Sequence, residues 1–262
     1  SDLVALGDAE TNEELVLRQS WNVAPTAEVP ILVAHADDGG AGVTRRIHVA
    51  RWGLVPSWAK EISVGARMFN ARSETVASKP TFRAAVRARR CAVPVEGYYE
   101  WKTPEPGAKG PDGRAAKKEP YYVHPAGAGD GEGPVIWFAG LYEWWQDPEA
   151  KAAGEDAWVL STTILTMAAP DADDDDPVLA ALGQLHDRLP VPMDAETMDR
   201  WLAPDTLGSA EEADALVGQV CAGAYDVAAG WSLRPVGSAV GNVRNNGPEL
   251  IQEMREQQGT LL

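Results

Sequence analysis

The sequence predicts an α+β domain, and three observations carry that class. Helical and strand-like stretches are intermixed along the chain, and they follow no regular βαβ rhythm, which argues against a doubly wound parallel sheet. The third is size with composition: 262 residues, 45% hydrophobic and 24% charged, suffice to bury a full core as one large domain. No internal repeat interrupts the chain, and no apolar run reaches the length that crosses a bilayer.

Residues 2–20 are expected to form a short helix on Leu3, Leu6, Leu15 and Leu17. WNVAPTAEVPIL (21–32) is β-rich and proline-marked, hence extended, and HADDGGAGV (35–43) is a turn by its Gly and Asp content. RRIHVARWGLVPSW (45–58) starts as an alternating strand on Ile47, Val49 and Trp52 and ends in a proline-marked turn. SKPTFRAAVRARR (78–90) reads as a helix with Ser78 as N-cap, Pro80 early, and Phe82 and Val86 on one face. Cys91 to Trp101 reads as a strand broken at Glu96-Gly97, followed by a mobile Pro/Gly/Lys-rich loop over 103–120. YYVHP (121–125), VIWFAGLYEWW (135–145) and AWVLSTTILTMAA (157–169) are three more strands. DADDDDP (171–177) is a solvated, mobile acidic loop without the glycine or spacing of a calcium loop. Helices are expected at AETMDRWLAP (195–204) and SAEEADALVGQVCAG (209–223), and a last strand at YDVAAGWSLRPVG (225–237).

Charge is distributed unevenly. The formal net charge of −16 argues against nucleic acid at first, because phosphate binding needs Lys and Arg. Between Thr44 and Lys102, however, twelve Lys or Arg face four acids, a local +8 that leaves −24 elsewhere. Such a segment suggests an anion-binding face, or arginines paired with an acidic surface. Two cysteines, Cys91 and Cys221, make no disulfide framework, and four scattered histidines (His35, His48, His124, His186) make no structural zinc site. No metal and no cofactor are expected. The acidic start SDLVALGDAETNEEL lacks a signal peptide's basic and apolar regions, so the expected address is cytoplasmic.

Several residues are equipped for chemistry. Cys91, beside three arginines, suits a low-pKa nucleophile or a buried strand residue, and its alternation with Val93 and Val95 favours the core. Glu100 lies among Tyr98, Tyr99 and Trp101, where aromatic surroundings can turn a carboxylate into a general acid or base; the alternative is a solvent-facing residue. His186, in LHDRLP, titrates in the range that would complement it. In FNARSET, Asn70 suits a carbonyl or hydroxyl and Arg72 a phosphate, unless the stretch is an Asx-capped turn. Trp52 and Trp58 flank a turn in the basic segment: exposed, they would stack bases, and buried, they are core.

Seven stretches carry a resemblance: WNVAPT (21–26), RWGLVPSWAK (51–60), FNARSETVASKPTFR (69–83), RRCAVPVEGYYEW (89–101), FAGLYEWW (138–145), LHDRLPV (185–191) and GNVRNNGPEL (241–250). In this order they resemble the successive signatures of the SRAP family, the SOS-response-associated peptidases, across nearly the whole chain. The resemblance implies one domain over residues 1–262, with curved, mostly antiparallel sheets forming a barrel-like core and helices flanking it. It implies a monomer that removes its own initiator methionine and crosslinks to abasic sites in single-stranded DNA, with lyase-like chemistry, at the nucleoid on damage. In that family an N-terminal cysteine forms a Schiff base through its α-amine, and its thiolate closes a thiazolidine ring. By motif, Asn70 would position the sugar or the terminal residue, Glu100 would transfer protons with His186 as partner, and Arg72 would hold a phosphate. Pro25, Trp52 and Trp58 are the candidates for the surface that kinks and stacks the strand, Arg51 and Trp101 are further DNA-binding candidates, and the arginines are expected to face DNA.

The family begins Cys-Gly-Arg, whereas this sequence begins Ser1-Asp2-Leu3 and holds no such triplet. The expectation is that the residues bearing the nucleophile precede Ser1; a crosslink-dead member is the alternative. Two other readings remain: a hydrolase using Ser1 with its own α-amine as base, and a non-catalytic reader of single-stranded or modified DNA.

Overall fold

Residues 28–52 fold back on themselves as the first hairpin. Strands β1 (Glu28–Ala36) and β2 (Val43–Trp52) pair antiparallel along their full length, from Glu28 opposite Arg51 to Ala36 opposite Val43. The expected turn lies between them, with Asp37 N–H donating to Gly42 O at 3.0 Å. This computed structural model describes residues 3–254 apart from 4, 6, 11–17, 38–41, 111 and 128–133.

Three further strands close a barrel on that hairpin. β4 (Arg90–Val95) joins β1, β7 (Ile136–Gln146) joins β4, β8 (Trp158–Ala168) joins β7, and β8 returns to β2 through Arg51–Ser161 and Trp52–Thr162. The cycle has no free edge, so the backbone groups of these strands satisfy one another. Only the β2–β8 junction is parallel, so the C-terminal ends of β2 and β8 share one mouth. At that mouth β3 (Asn70–Arg72) takes over from β2 beside Ile164–Thr166, and β9 (Arg188–Pro190) and β10 (Pro192–Met193) fit between the diverging ends of β8 and β7.

Period-two alternation sorts the side chains. Ile31, Val33, Ala50, Cys91, Val93, Phe138 and Ile164, drawn from all five barrel strands, form one buried cluster, with Leu182, Leu185, Tyr98 and Trp231 packed onto it. The other face, with Leu32, Ile47, Ala92, Ala139, Leu141 and Leu165, is covered by helices. These are α1 (Arg83–Ala88), α4 (Ala195–Leu202) and α5 (Ala210–Ala222), contributing Val86, Trp201, Val217 and Val220. Trp201 is fully buried, and its indole N–H donates to Cys91 O and Gly140 O at 3.0 and 3.2 Å. A separate sheet of β5 (Tyr98–Lys102), β6 (Glu119–Pro125) and β11 (Trp231–Pro235) stands beside the barrel. The expected break at Glu96-Gly97 is where the chain changes sheet. Gly97 passes so close to the Tyr122 ring that a Cβ there would collide with it.

Four sequence expectations are corrected. Leu3 and Ala5 are helical, but Gly7–Asp8 is a turn and Glu10 bridges Arg46, so no single helix spans 2–20; Leu6, Leu15 and Leu17 lie outside the described residues. Ser78 caps nothing: its hydroxyl donates to Thr75 O, and the helix begins only at Arg83. The stretch 225–237 is not one strand, because Ala224–Ala228 forms helix α6 on buried Ala224 and Ala228, with Gly230 just past its end. The acidic run ends in a helix that its composition hides. Asp176 accepts from the Val178 and Leu179 N–H groups at 2.8 and 3.1 Å and starts α3 (Pro177–Leu185). Short α2 (Pro148–Ala152) completes the helices named here.

Candidate active site at one mouth of the barrel

The mouth where β2 and β8 end gathers most of the residues the sequence singles out. Trp52 closes β2, and its indole N–H donates to Phe69 O at 2.9 Å, directly before Asn70. Asn70 and Arg72 are both exposed and share one face of β3, while Ala71 between them is buried. Pro25 lies in a turn pinned to the same place. Thr26 N–H donates to Trp52 O at 2.7 Å, and Arg51 Nη1 donates to Thr26 O at 2.9 Å. Thr26 has φ 78°, a left-handed conformation uncommon for a β-branched residue. WNVAPT is anchored at its other end as well. Asn22 Nδ2 reaches Val240 O, Asn242 O and Asn245 O at 3.1 to 3.2 Å, and Tyr99 O–H donates to Trp21 O at 2.6 Å. Asn22 thus joins the first and last of the family-like stretches.

Glu100 and His186 face each other, with Nε2 3.9 Å from Oε1. His186 caps the C-terminal end of α3, and its Nδ1 accepts the Arg188 N–H at 3.0 Å. Nε2 is the ring nitrogen turned towards Glu100. A second carboxylate, exposed Asp187, lies 3.0 Å from Nδ1. Both members of the pair stay partly open to solvent, His186 at 35% and Glu100 at 25% side-chain exposure, so a substrate can reach them. Trp101 is not beside the carboxylate. Alternation turns it with Tyr99 into the cluster of Tyr122, Val236, Val240, Leu250 and Ile251. Tyr98 shares the Glu100 face, and burial with the nearby Glu100 charge pushes its phenol far up, keeping it a neutral wall.

Arg188 ties this pair to the Asn70 strand. Its guanidinium donates to Glu74 Oε1 and Oε2 at 2.6 and 2.9 Å and to Thr166 O at 2.7 Å. The sequence marks Arg188 only as part of an ion-pair-capable Asp-Arg after His186 and gives Glu74 no partner, since the 114 positions that separate them carry no shared pattern. The Arg188 hydrogen bond holds the Glu74 carboxyl below its usual range. A depressed carboxylate pKa contributes stability that is present above the unfolded value and lost as pH falls through the folded one. Glu74→Gln is therefore expected to flatten the acid limb of a stability–pH curve below the ordinary carboxylate range, read as urea midpoints, and to leave neutral-to-alkaline slopes unchanged.

The chain between β2 and β3 forms a loop pinched at its base. Leu54 N–H donates to Met68 O at 3.1 Å, and Gly53, at φ 128°, lies so near Gly65 that a Cβ on either would meet the other's carbonyl. Trp145 Nε1 holds the loop through Ala59 O at 2.8 Å. The loop displays Trp58 at 64% exposure, Ile62 at 38%, and exposed Lys60 and Arg67.

The neighbouring arginines differ from expectation. Arg87 donates to Leu207 O and Gly208 O at 2.8 and 2.7 Å, and Arg89 pairs with the largely buried Glu143 at 2.8 Å. Arg90 is buried and donates to the carbonyls of Val86, Arg87, Trp201, Ala203 and Asp205. Arg45 pairs with Asp199. These four belong to the scaffold: Arg87 and Arg90 serve loop and helix-end carbonyls that need donors water cannot supply there, and Arg45 and Arg89 are held by carboxylates. The cysteines are equally inert. Burial pushes the Cys91 thiol up to about 12, and burial also raises Cys221. Among the described residues no group of three or more His, Cys, Asp or Glu is placed to hold a metal ion, and no helix is long and apolar enough to cross a membrane. Ser1 lies outside the described residues.

Comparison with known proteins identifies the family. Residues 2–243 match the family model described as SOS response associated peptidase (SRAP). The abasic site processing protein YoqW of Bacillus subtilis is 32% identical over 233 residues, covering 89% of this chain and 85% of its own. The abasic site processing protein HMCES of Rattus norvegicus is 27% identical over 258 residues, covering 88% of this chain and 64% of its own. A crystal structure of a protein from Bacteroides thetaiotaomicron superposes with a TM-score of 0.59 at 21% identity, over 88% of this chain and 82% of that one.

Proposed function

The chain belongs to the SOS response associated peptidase family, and from that membership we propose that it captures abasic sites in single-stranded DNA and becomes covalently linked to them. The observation that supports this reading is the Glu100–His186 pair, 3.9 Å apart and partly open to solvent, with Arg188, two residues beyond His186, bound to Glu74. The family resemblance implies an amino-terminal cysteine as the reacting one; Cys91 and Cys221, held as thiols by burial, do not supply it. Glu100 takes a proton from the attacking α-ammonium, and His186 delivers its Nε2 proton to the carbinolamine hydroxyl, which leaves as water. The thiolate then adds to the carbon of the iminium left by that loss of water, the new C–S bond closes the five-membered ring, and the C=N π pair returns to the nitrogen, which keeps its one proton. Asn70 orients the opened sugar, and we assign release of an initiator methionine to the same acid–base pair.

Binding divides between stacking and charge. Trp58 supplies an exposed stacking face, and Lys60, Arg67 and Arg72 reach backbone phosphates. Trp58→Ala is expected to weaken binding of an abasic single strand about tenfold without changing its salt dependence. Arg72→Ala lowers the slope of log K against log salt by about 0.7. Fluorescence anisotropy at several salt concentrations reads both.

The reaction is tested by mixing this chain, and the same chain preceded by Met-Cys-Gly-Arg, with an oligonucleotide bearing one abasic site. A band that survives a denaturing gel only with the extended protein supports the covalent reading. Binding that dissociates in denaturant with both proteins leaves a reversible DNA reader, the reading that Trp58 exposure alone would favour.

A further inference from the structure

The segment expected to be a mobile loop, 103–120, extends from the end of the strand that carries Glu100. Thr103 follows Lys102, the last residue of β5, and the chain returns into β6 at Glu119, opposite Lys102. Between them the backbone is organised. Lys109 bridges Ala115, Gly110 N–H donates to Arg114 O at 2.8 Å, Ala116 N–H donates to Ala108 O at 2.9 Å, and Gly113 turns the tip at φ 75°. The result is a tongue, and its two legs are the continuation of a ribbon whose other end holds the proton-transferring carboxylate.

Its charge is the second observation. Outside residues 44–102 the chain is strongly acidic and has eleven Lys or Arg, of which four, Lys109, Arg114, Lys117 and Lys118, fall within ten residues of the tongue. All four are exposed, and Arg114 has 88% of its side chain open to solvent. Among the described residues Lys109, Lys117 and Lys118 make no ion pair, and Arg114 only a loose one, 3.9 Å from Asp112. By contrast, Arg45, Arg87, Arg89, Arg90 and Arg188 are each engaged by carbonyls or carboxylates. Lys102 sits two residues from Glu100, on the same face of β5 by alternation, so the positive track begins next to the site. Uncompensated cations cost little in water, and they become favourable when a polyanion releases its counterions to them.

We propose that this tongue is a phosphate-binding arm that holds the nucleic-acid backbone several nucleotides away from the abasic position. The inference rests on the DNA-binding reading above and adds to it a footprint: strand length beyond the reacting nucleotide contributes affinity through Lys109, Arg114, Lys117 and Lys118. At no more than about 3.5 Å per residue, the legs reach up to roughly 25 Å from Lys102, a span of several nucleotides. The arm touches backbone only, so it adds no sequence preference.

The test compares wild type with a variant in which those four residues are Gln, using abasic strands of about 5 and about 20 nucleotides. Anisotropy across salt concentrations gives affinity and slope, and the same strands give crosslinking rates in protein with an amino-terminal cysteine. The expected result is that wild type prefers the long strand, and that the variant loses about tenfold on it and flattens its salt slope by about 2 to 3. On the short strand the variant matches wild type in affinity and rate. Equal loss on both lengths, or no loss on the long strand, overturns the proposal. Absence of DNA binding by wild type at either length instead removes the reading on which it rests. A second variant, with the segment between Thr103 and Glu119 shortened to a tight turn, must reproduce the length-selective loss; the melting temperatures of both variants verify folding.

Discussion

Glu100→Gln is expected to lower the rate of crosslinking by about 10² to 10⁴ in protein carrying an amino-terminal cysteine. Reversible affinity for the same abasic strand should change by less than about threefold, because the amide keeps the shape and the hydrogen-bonding capacity that the Trp101 N–H uses at 2.9 Å. His186→Ala should cost a similar factor, and the double variant little more than either single one, since two groups 3.9 Å apart that pass one proton act as a unit. Single-turnover gels give the rates and anisotropy gives the affinities. A loss of affinity equal to the loss of rate would make Glu100 a binding residue and remove it from the chemistry.

Arg90→Ala is expected to have the largest effect on stability, about 3 to 5 kcal/mol, seen as a lower urea midpoint at unchanged m-value. Arg90 is 5% exposed, and its one guanidinium serves carbonyls from α1, from the end of α4 and from the loop that follows. Removing it strands several acceptors where water enters poorly and unties α4 from the base of β4. Arg90→Lys should recover only part of the loss, because an ammonium cannot reproduce a planar fork with five donors. Folded Arg90→Ala protein should bind DNA as wild type does. Weakened binding per folded molecule would return this arginine to the interface.

Much of the barrel was legible because its strands alternate. The runs at 135–145 and 157–169 have period-two or wholly apolar patterns too long for turns, and they became β7 and β8, as 121–125 became β6 of the separate sheet. The failures have local causes. In α3 the helical signal was a capping Asp at the end of an acidic run, and composition outweighed it. In 225–237 an alanine-rich turn of helix and a strand share one apolar stretch, which short windows cannot divide. The likeness to the family's ordered stretches assigns roles to Asn70, Glu100 and His186, which residue chemistry alone singles out without roles.

By itself the sequence determined the α+β class, the positions of most strands along the chain, the buried place of Cys91 and the family to which the chain belongs. Those follow from information written within ten or so neighbouring residues: periodicity, turn chemistry and motif order. The tertiary structure alone decided that Glu100 meets His186 across 86 positions, that Glu74 answers Arg188, and that Trp101 faces away from the carboxylate beside it. It also decided which positive charges are free. Arg87, Arg89 and Arg90 read as a basic patch, yet the fold spends them on carbonyls and on Glu143, while the plainer lysines of the tongue remain in solvent. A side chain's charge is local, but the acceptor that claims it is set by which backbone ends the fold leaves unpaired, and those come from distant parts of the chain.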